Sequence, residues 1–262
     1  MSSLSKCYTL AMRDQLSGTD SYLRDQGALS YLEFINSDDG KVFKQVQGDA
    51  IVGRISDNNL SILDAGCGPG WLSNRLTTLG HKVEACDSAP LLIDYAKTHY
   101  PNINFVLADL TRDLPYPTES FDVIVLSMAA LDLADQKTAF NNLHRVLKPG
   151  GKLIVTIVNP YYGYPVGVWK RGIIGFLLRR FPNLRLRPYN FYLRNSNRSF
   201  KWSGGRLTSY FYTLPEQLNA FLHARFKLAY IEDMLMDADD TNYSLQYRLY
   251  RFPIYLLIEL TK

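Results

Sequence analysis

Hydrophobic residues between Ser61 and Val158 follow two alternating patterns. Short apolar runs typical of buried strands are each followed by a segment in which apolar residues recur at helical spacing. The predicted strands are Ser61–Ala65, Lys82–Cys86, Ile103–Leu107, Phe121–Leu126 and Lys152–Val158, and the predicted helices are Trp71–Leu79, Pro90–His99 and Thr138–Leu147. Strands that alternate with single helices form right-handed βαβ units, so we expect an α/β fold, a Rossmann-like, mostly parallel sheet with helices on both faces.

The two ends of the chain depart from this alternation. Tyr22–Ile35 and Lys41–Ile55 have helical spacing, with a polar break at Ser37–Gly40, so residues 1–58 are predicted to form an N-terminal helical cap on a main domain of residues 59–262. Near the other end, a helix is predicted at Pro215–Ala224, followed by strands at Lys227–Asp233 and Pro253–Leu260. Because no helix-length crossover is evident between these two strands, we expect them to be antiparallel partners.

A basic and aromatic segment, residues 159–212, interrupts the alternation after the fifth strand. From Asn159 to Pro215 the chain carries ten Lys or Arg residues and no Asp or Glu, whereas the rest of the chain holds 19 basic and 25 acidic residues, a net charge of −6. The positive net charge of the chain therefore belongs to this one segment. Insertions at the ligand edge of a sheet are common sites for lids.

The cysteines, the N-terminus and the apolar runs exclude several classes of protein. The three cysteines, Cys7, Cys67 and Cys86, are odd in number and lack metal-type spacing, so neither a disulfide framework nor a metal site is expected. The N-terminus has no basic stretch followed by a long apolar run, and the longest apolar runs are too short to span a bilayer. These features predict a cytoplasmic protein without a membrane span.

A glycine-rich motif, Leu63-Asp-Ala-Gly-Cys-Gly-Pro-Gly70, follows the first strand and opens a helix. Glycines at such a turn allow the backbone to approach a ligand closely. A dinucleotide fingerprint requires a small residue where Trp71 stands, and Asp64 would add negative charge beside a pyrophosphate. A ligand with an ammonium and a sulfonium group fits better, and a tight turn without any ligand is the remaining alternative.

Carboxylates end the second and third predicted strands, at the same edge of the sheet. Asp87 lies about 20 residues beyond the first turn, a spacing at which a carboxylate accepts hydrogen bonds from both ribose hydroxyls. Asp109 could accept a hydrogen bond from an adenine amino group. The alternatives are a helix cap before Pro90, which Ser88 could equally supply, and a plain loop aspartate.

These motifs, together with Phe121-Asp-Val-Ile124 and His144-Arg-Val-Leu-Lys-Pro-Gly-Gly151, resemble the class I S-adenosylmethionine-dependent methyltransferase superfamily, and more narrowly its small-molecule branch. The resemblance implies a seven-stranded sheet of order 3-2-1-4-5-7-6 whose last strand in the chain is antiparallel. It implies S-adenosylmethionine as cofactor and S-adenosylhomocysteine as product. The implied cofactor-binding residues are Asp64, Ala65, Gly66, Cys67, Gly68, Gly70, Asp87, Ser88, Asp109, Leu110 and Ser127.

Candidates for catalysis and acceptor binding are fewer. Methyl transfer from a sulfonium is an in-line displacement, in which orientation contributes much and a base helps only if the acceptor must lose a proton. The four histidines are expected at helix ends or in helices that face away from the site. Asp132, shortly after the fourth strand, is a candidate base, with a loop acid or helix cap as the alternative. Candidates to line the acceptor pocket are Tyr31, Tyr161, Tyr162 and Tyr164.

Four interpretations of the basic segment remain open. It can act as a lid over a small aromatic or anionic metabolite, as a nucleic-acid surface, as a membrane-facing segment, or only as packing within the domain or a dimer. The sequence favours methyl transfer to a small-molecule O, N or C nucleophile by a monomer or homodimer, rather than to a nucleic acid. The alternatives are an RNA or protein methyltransferase that docks through this segment, and a non-catalytic protein that binds a nucleotide cofactor.

Overall fold

The computed structural model describes residues 25–160, 198–202, 207–234 and 254–262. In chain order, its helices are α1 (Asp25–Ile35), α2 (Asp38–Val52), α3 (Trp71–Thr78), α4 (Pro90–His99), α5 (Gln136–Val146) and α6 (Leu214–His223). Its strands are β1 (Ser61–Ala65), β2 (Lys82–Asp87), β3 (Asn104–Leu107), β4 (Phe121–Ser127), β5 (Leu147–Val158), β6 (Arg198–Trp202), β7 (Leu207–Phe211), β8 (Lys227–Met234) and β9 (Tyr255–Thr261).

Seven of these strands form one sheet in the order β3-β2-β1-β4-β5-β9-β8. Strands β1 to β5 pair in parallel, whereas β9 is antiparallel to both of its neighbours, β5 and β8. The predicted fold class and strand order are therefore confirmed, as is the antiparallel pairing of the last two strands. The parallel register brings the carboxyl ends of β1, β2, β3 and β4 to one edge of the sheet.

Helices cover both faces of this sheet. On one face, α5 and α6 pack on the sheet and on each other, with the rings of Phe140 and Phe221 4.5 Å apart. On the other face lie α2 and α3, where Phe43 makes edge-to-face contacts with Trp71 and Tyr255. Alternate side chains of β4 enter opposite cores, Ile124 on the first face and Val123 on the second.

The N-terminal helices share the second core with the sheet. Ile35 of α1 and Phe43 and Ile51 of α2 belong to the same buried cluster as Ile62 of β1 and Leu257 of β9. Ser37 caps α2, since its hydroxyl accepts a hydrogen bond from the Gly40 N–H at 3.1 Å. The predicted division into a cap of residues 1–58 and a main domain of residues 59–262 stays a prediction.

The largest difference between a predicted boundary and the structure is at the start of the fifth strand. The sequence predicts a helix as far as Leu147 and a strand from Lys152, whereas α5 ends at Val146 and β5 begins at Leu147. Leu147 pairs with Phe121 at the start of β4, and the ladder resumes only at Val123 and Lys152. The intervening Pro149-Gly150-Gly151 turn is thus an irregularity within β5 and not a stop before it.

Strands β6 and β7 form a separate antiparallel hairpin in which Arg198 pairs with Phe211 and Trp202 with Leu207. The hairpin lies within the predicted insertion, residues 159–212. The rest of that insertion falls mostly outside the described residues, so its role as a lid stays a prediction. Within the described ranges, every helix falls short of the length or the apolar character needed to cross a membrane.

Candidate functional site

The turn after β1 contains glycines with a backbone conformation that most other residues avoid. Gly66, Gly68 and Gly70 have φ angles of 72°, 54° and 81°. The N–H groups of Gly66 and Cys67 both donate to the carbonyl oxygen of Cys86, at 2.8 and 3.0 Å. The turn is thereby fixed to the end of β2.

The three glycines have different surroundings. A Cβ atom on Gly66 would lie 2.5 Å from Ala129 Cβ, and one on Gly70 would lie 2.7 Å from the Phe105 ring. A Cβ atom on Gly68 would come no closer than 3.3 Å to another group, the ring of Tyr31. Gly66 and Gly70 are therefore required for packing, whereas Gly68 faces Tyr31 on α1.

Asp64 is buried beneath this turn, with 1% of its surface exposed. Its Oδ2 accepts a 2.6 Å hydrogen bond from the hydroxyl of Ser73, on α3. Burial raises the pKa of the Asp64 carboxyl to about 7, and the negative charge of Asp87 adds to this, while the Ser73 hydrogen bonds act in the opposite direction. Ala65 and Cys67, beside it, are also buried.

Asp87, at the end of β2, accepts hydrogen bonds from two neighbouring segments. Its Oδ2 accepts from the Gly68 N–H and its Oδ1 from the Ala89 N–H, both at 2.8 Å. Burial raises the pKa of this carboxyl, and these backbone hydrogen bonds oppose the rise. The predicted capping role before Pro90 and the predicted ribose role are compatible, because each carboxylate oxygen accepts more than one hydrogen bond. Ser88 is half-buried beside it.

Asp109 and Leu110 follow β3 at the same edge. Oδ1 of the buried Asp109 accepts from both the N–H and the hydroxyl of Thr111, each at 2.8 Å. Leu110 is 5% exposed and belongs to the first core. The structure thus brings both residues to the edge where adenine binding is predicted, with the carboxylate oriented by its own loop.

The segment after β4 carries two further predicted residues. Ser127 is the last residue of β4, and its hydroxyl oxygen accepts from Thr156 at 3.4 Å. Asp132 ends a single 3-10 turn, Ala130–Asp132, and its Oδ1 accepts a 2.6 Å hydrogen bond from the hydroxyl of Ser209 on β7. Asp132 therefore holds a structural contact in addition to its predicted role as a base.

Tyr31 lies among the carboxylates of this edge. Burial raises the pKa of its phenol strongly, and the charges of Asp87, Asp132 and Asp64 raise it further. The hydroxyl is therefore neutral in the physiological pH range, so Tyr31 can donate a hydrogen bond. The other predicted acceptor residues, Tyr161, Tyr162 and Tyr164, lie outside the described residues.

Three of the histidines lie where the sequence predicts them, away from this turn. His81 accepts from the Leu60 N–H at the amino end of β1, and His99 stacks on Tyr95 with ring centroids 3.7 Å apart. The ring of His144 packs against Phe226, and burial lowers its pKa. Each of these three histidine rings thus makes a structural contact in or near the end of a helix.

Three residues of this region were missed by the sequence analysis. Ser73, which binds Asp64, lies on the first turn of α3 and could have been found as a polar residue facing the motif. Ala129 carries no chemical signal, although it packs against Gly66. Ser209 lies 77 residues from Asp132, so only the tertiary structure reveals their contact.

The free thiols, the possible metal ligands and a cavity are the other chemical features of the described residues. Cys67 and Cys86 are buried free thiols, and burial raises the pKa of Cys86 to about 12. Within the described ranges, no three His, Cys, Asp or Glu side chains converge as a metal site would require. A cavity of about 240 Å³ opens at the opposite, amino-terminal edge of the strands, where Lys148 is paired with Asp122 at 2.7 Å.

Comparison with known proteins finds similarity to methyltransferases. Residues 63–155 match a model described as a methyltransferase domain. The chain is 38% identical over 97 residues to malonyl-[acyl-carrier protein] O-methyltransferase from Hahella chejuensis, a match covering 36% of this chain and 34% of that protein. It is 30% identical over 122 residues to demethylmenaquinone methyltransferase from Paenarthrobacter aurescens, covering 46% of each protein.

A solved structure matches over a longer range. The crystal structure of an S-adenosylmethionine-dependent methyltransferase from Mesorhizobium loti is 25% identical, with a TM-score of 0.67, over 83% of this chain and 98% of that one. By contrast, the matched regions span between about a third and a half of the length of the curated relatives. The matched methyltransferase domain of residues 63–155, together with the glycine turn, the strand order and the solved structure, supports the class I S-adenosylmethionine-dependent methyltransferase superfamily.

Proposed function

We propose that the protein transfers a methyl group from S-adenosylmethionine to a small-molecule acceptor. The observation that carries the proposal is the acidic character of the glycine turn. Neutral groups of Ser73, Gly68 and Ala89 donate hydrogen bonds to the Asp64 and Asp87 carboxylates. A turn of this charge favours a ligand with an ammonium and a sulfonium over one with a pyrophosphate.

The residues at the carboxyl edge fit the parts of this cofactor. Asp64 and the turn from Gly66 to Gly70 would hold the methionine part, and Ser127 would line it. Asp87 with Ser88 would bind the ribose hydroxyls. Asp109 and Leu110 would bind the adenine, with the Asp109 carboxylate already oriented by Thr111. All eleven proposed cofactor-binding residues thus lie at the carboxyl ends of the first four strands or in the segments that follow them.

The bound cofactor supplies a methyl group on a sulfonium that is already activated for displacement. The contribution of the chain is then to orient the acceptor and to exclude water. Tyr31, whose ring faces Gly68, would line the acceptor pocket, where its hydroxyl would donate a hydrogen bond. No histidine is needed in this arrangement.

The names of the relatives support a small acceptor. One relative is named for a malonyl group on an acyl-carrier protein and another for demethylmenaquinone. The predicted contribution of the basic segment is to bind an anionic or aromatic acceptor, with Tyr161, Tyr162 and Tyr164 among its candidate residues. A cytoplasmic location and a monomeric or homodimeric state remain predictions from the sequence.

A second candidate function rests on the same segment. Ten Lys or Arg residues without any Asp or Glu, interleaved with aromatic residues, are also typical of surfaces that bind RNA. In that case the acceptor is a macromolecule and the segment is its docking surface. A non-catalytic cofactor-binding protein is a third candidate, but the intact glycine turn does not favour it.

The test is a transfer assay with radiolabelled S-adenosylmethionine and a fractionated extract of the source organism, after calorimetry with S-adenosylhomocysteine and NADH. We expect S-adenosylhomocysteine to bind with roughly micromolar or higher affinity. Label in small metabolites would support the proposal, and label in RNA or protein would favour the second candidate. Binding of NADH without binding of S-adenosylhomocysteine would refute the cofactor assignment.

A further inference from the structure

A part-buried hydrogen bond joins the loop after β4 to the β6–β7 hairpin. The Ser209 hydroxyl donates to Oδ1 of Asp132 at 2.6 Å, and Ser209 has no exposed surface. Ser209 lies in the middle of β7, where it pairs with Phe200 of β6. A hydrogen bond to a carboxylate is among the stronger contacts available to a neutral side chain.

Two further contacts lie beside this one in the chain. The Tyr212 hydroxyl, just after β7, donates to the carbonyl oxygen of Leu133 at 2.7 Å. Gln136, at the start of α5, donates to Gln217 of α6 at 3.0 Å and to the carbonyl oxygen of Ala130 at 2.9 Å. The β4–α5 loop and the first residue of α5 are therefore connected by three side-chain contacts to the hairpin and the chain that follows it.

The same loop packs against the glycine turn. A Cβ atom on Gly66 would lie 2.5 Å from Ala129 Cβ, and the Asp132 N–H donates to the Ala129 carbonyl oxygen at 3.0 Å. The charge of Asp132 also acts on the phenol of Tyr31. Asp132 thus lies between the hairpin on one side and the turn and Tyr31 on the other.

We propose that Asp132 is a positioning residue, which holds the β6–β7 hairpin against the acceptor side of the site through Ser209, and that it is not a general base. The two roles make different demands on the side chain. A base needs a carboxylate that takes up a proton, whereas an anchor needs only an oxygen that accepts from Ser209. An asparagine supplies such an oxygen without basicity, so Asp132→Asn separates the roles.

Hydrogen–deuterium exchange tests the anchor without any acceptor or transfer. We expect Asp132→Ala and Ser209→Ala each to speed exchange of the β7 amides by roughly tenfold or more. Asp132→Asn should lie closer to the wild type than to Asp132→Ala. Ser120→Ala is the matched control, because it removes a serine hydroxyl bonded at 2.8 Å to Pro117 at the opposite edge of the sheet. Unchanged β7 exchange in Asp132→Ala and Ser209→Ala would overturn the proposal.

The transfer rate supplies the second readout, and only this part rests on the proposed function. With labelled S-adenosylmethionine and the extract fraction that accepts label, Asp132→Asn should keep most of the activity and the pH profile of the wild type. Asp132→Ala and Ser209→Ala should lose similar factors, and the double variant no more than either alone. A loss of about 100-fold in Asp132→Asn with near-normal Ser209→Ala would instead identify a base. If no fraction accepts label, the proposed function fails while the exchange experiment still decides the anchor.

Discussion

The backbone N–H of Gly68 donates a 2.8 Å hydrogen bond to Oδ2 of Asp87. The glycine turn after β1 and the carboxylate after β2 are therefore one hydrogen-bonded unit, which the Ala89 N–H extends to the start of α4. In the proposed complex these two segments hold the methionine and ribose parts of one ligand. Their relative position is then set before the ligand binds, which lowers the ordering cost of binding.

A side chain at position 68 should abolish cofactor binding. Gly68 has a φ angle of 54°, and its Cβ direction leads to the Tyr31 ring at 3.3 Å. A leucine there would occupy the space between the turn and Tyr31, in addition to straining the backbone. We expect Gly68→Leu to weaken S-adenosylhomocysteine binding by roughly 100-fold or more, a loss of about 3 kcal/mol, measured by calorimetry.

Gly150→Leu is the matched control for this variant. Gly150 also has a positive φ angle, 75°, but a Cβ atom there would meet nothing within 4 Å, and it lies at the opposite edge of the sheet. Both variants should therefore lose about 1–2 kcal/mol of stability from backbone strain, and only Gly68→Leu should lose affinity. Equal affinities in the two variants would mean that the turn does not contact the ligand.

The ribose role of Asp87 is distinguishable from its role as a cap. We expect wild-type protein to bind S-adenosylhomocysteine more tightly than its 2′,3′-dideoxy analogue, by about 1.5–3 kcal/mol for hydrogen bonds to a charged group. In Asp87→Ala both ligands should bind weakly and with nearly equal affinity. Calorimetry on the two proteins and two ligands gives this difference directly.

A structural effect of the substitution weakens the binding of both ligands, so it cancels when their affinities for the same protein are compared. Asp87→Ala also leaves the Gly68 and Ala89 N–H groups without their acceptor, so a general loss of affinity proves nothing about the ribose. If Asp87 acts only as a cap, the preference for the ribose hydroxyls will survive in Asp87→Ala. Asp109→Ala is the companion variant, which should keep that preference because its predicted partner is the adenine.

The sequence predicts that the proposed cofactor-binding residues lie at one edge of the sheet, for a physical reason. Parallel strands end at one edge, so residues at or just after the strand ends, such as Asp64, Asp87 and Asp109, become neighbours once the strand order is known. The glycine pattern is equally local, because positive φ angles favour one residue type. The seven strands of the sheet also followed from periodicity, which depends on neighbouring residues alone, whereas β6 and β7 were not predicted.

The contacts that the sequence did not reveal are those between distant segments. Ser209 has no motif around it, and its contact with Asp132 depends on how the hairpin returns to the sheet. The start of β5 was missed because Pro149-Gly150-Gly151 is typical of a stop, although Leu147 already pairs with Phe121. Tyr31 was predicted to line the acceptor pocket only because it lies in the N-terminal helical region. Its position opposite Gly68 depends on the packing of α1.

Removal of the Phe43 side chain should destabilise the sheet and not only α2. Phe43 is 5% exposed and contacts Phe34, Trp71 and Tyr255, so it joins the N-terminal helices to α3 and β9. We expect Phe43→Ala to cost about 3–5 kcal/mol, measured by urea unfolding followed by circular dichroism and tryptophan fluorescence. Leu222→Ala, at a position 54% exposed, should change stability by less than about 0.5 kcal/mol.

The shape of the transition adds a second test of this shared core. If the N-terminal helices unfold together with the sheet, both probes will give one coincident transition in the wild type and in Phe43→Ala. Two separate transitions, with only the first moved by Phe43→Ala, would show that residues 1–58 form an independent unit. In that case the buried cluster around Phe43 would not couple the N-terminal helices to the stability of the sheet.

The affinity for S-adenosylhomocysteine should rise as the pH rises towards 7. Burial raises the pKa of Asp64 to about 7, so below that pH the carboxyl of the unliganded protein is largely protonated. The ammonium of the ligand favours the charged form, so binding lowers this pKa and releases a proton. The affinity should therefore increase by up to about tenfold per pH unit below 7 and become constant above it. Calorimetry between pH 5 and pH 8 (a range set by the Asp64 value), in buffers of different ionisation enthalpy, measures both the affinity and the proton release.

Two variants identify the group responsible for this dependence. Asp64→Asn cannot titrate, so the difference between its pH profile and that of the wild type isolates the Asp64 contribution from that of Asp87. Ser73→Ala removes the hydroxyl that stabilises the Asp64 carboxylate at 2.6 Å, so the rise in affinity should move to higher pH. An Asp64→Asn profile that parallels the wild type would show that the ammonium does not bind beside Asp64. The acidic-turn argument for a cationic ligand would then lose its main support.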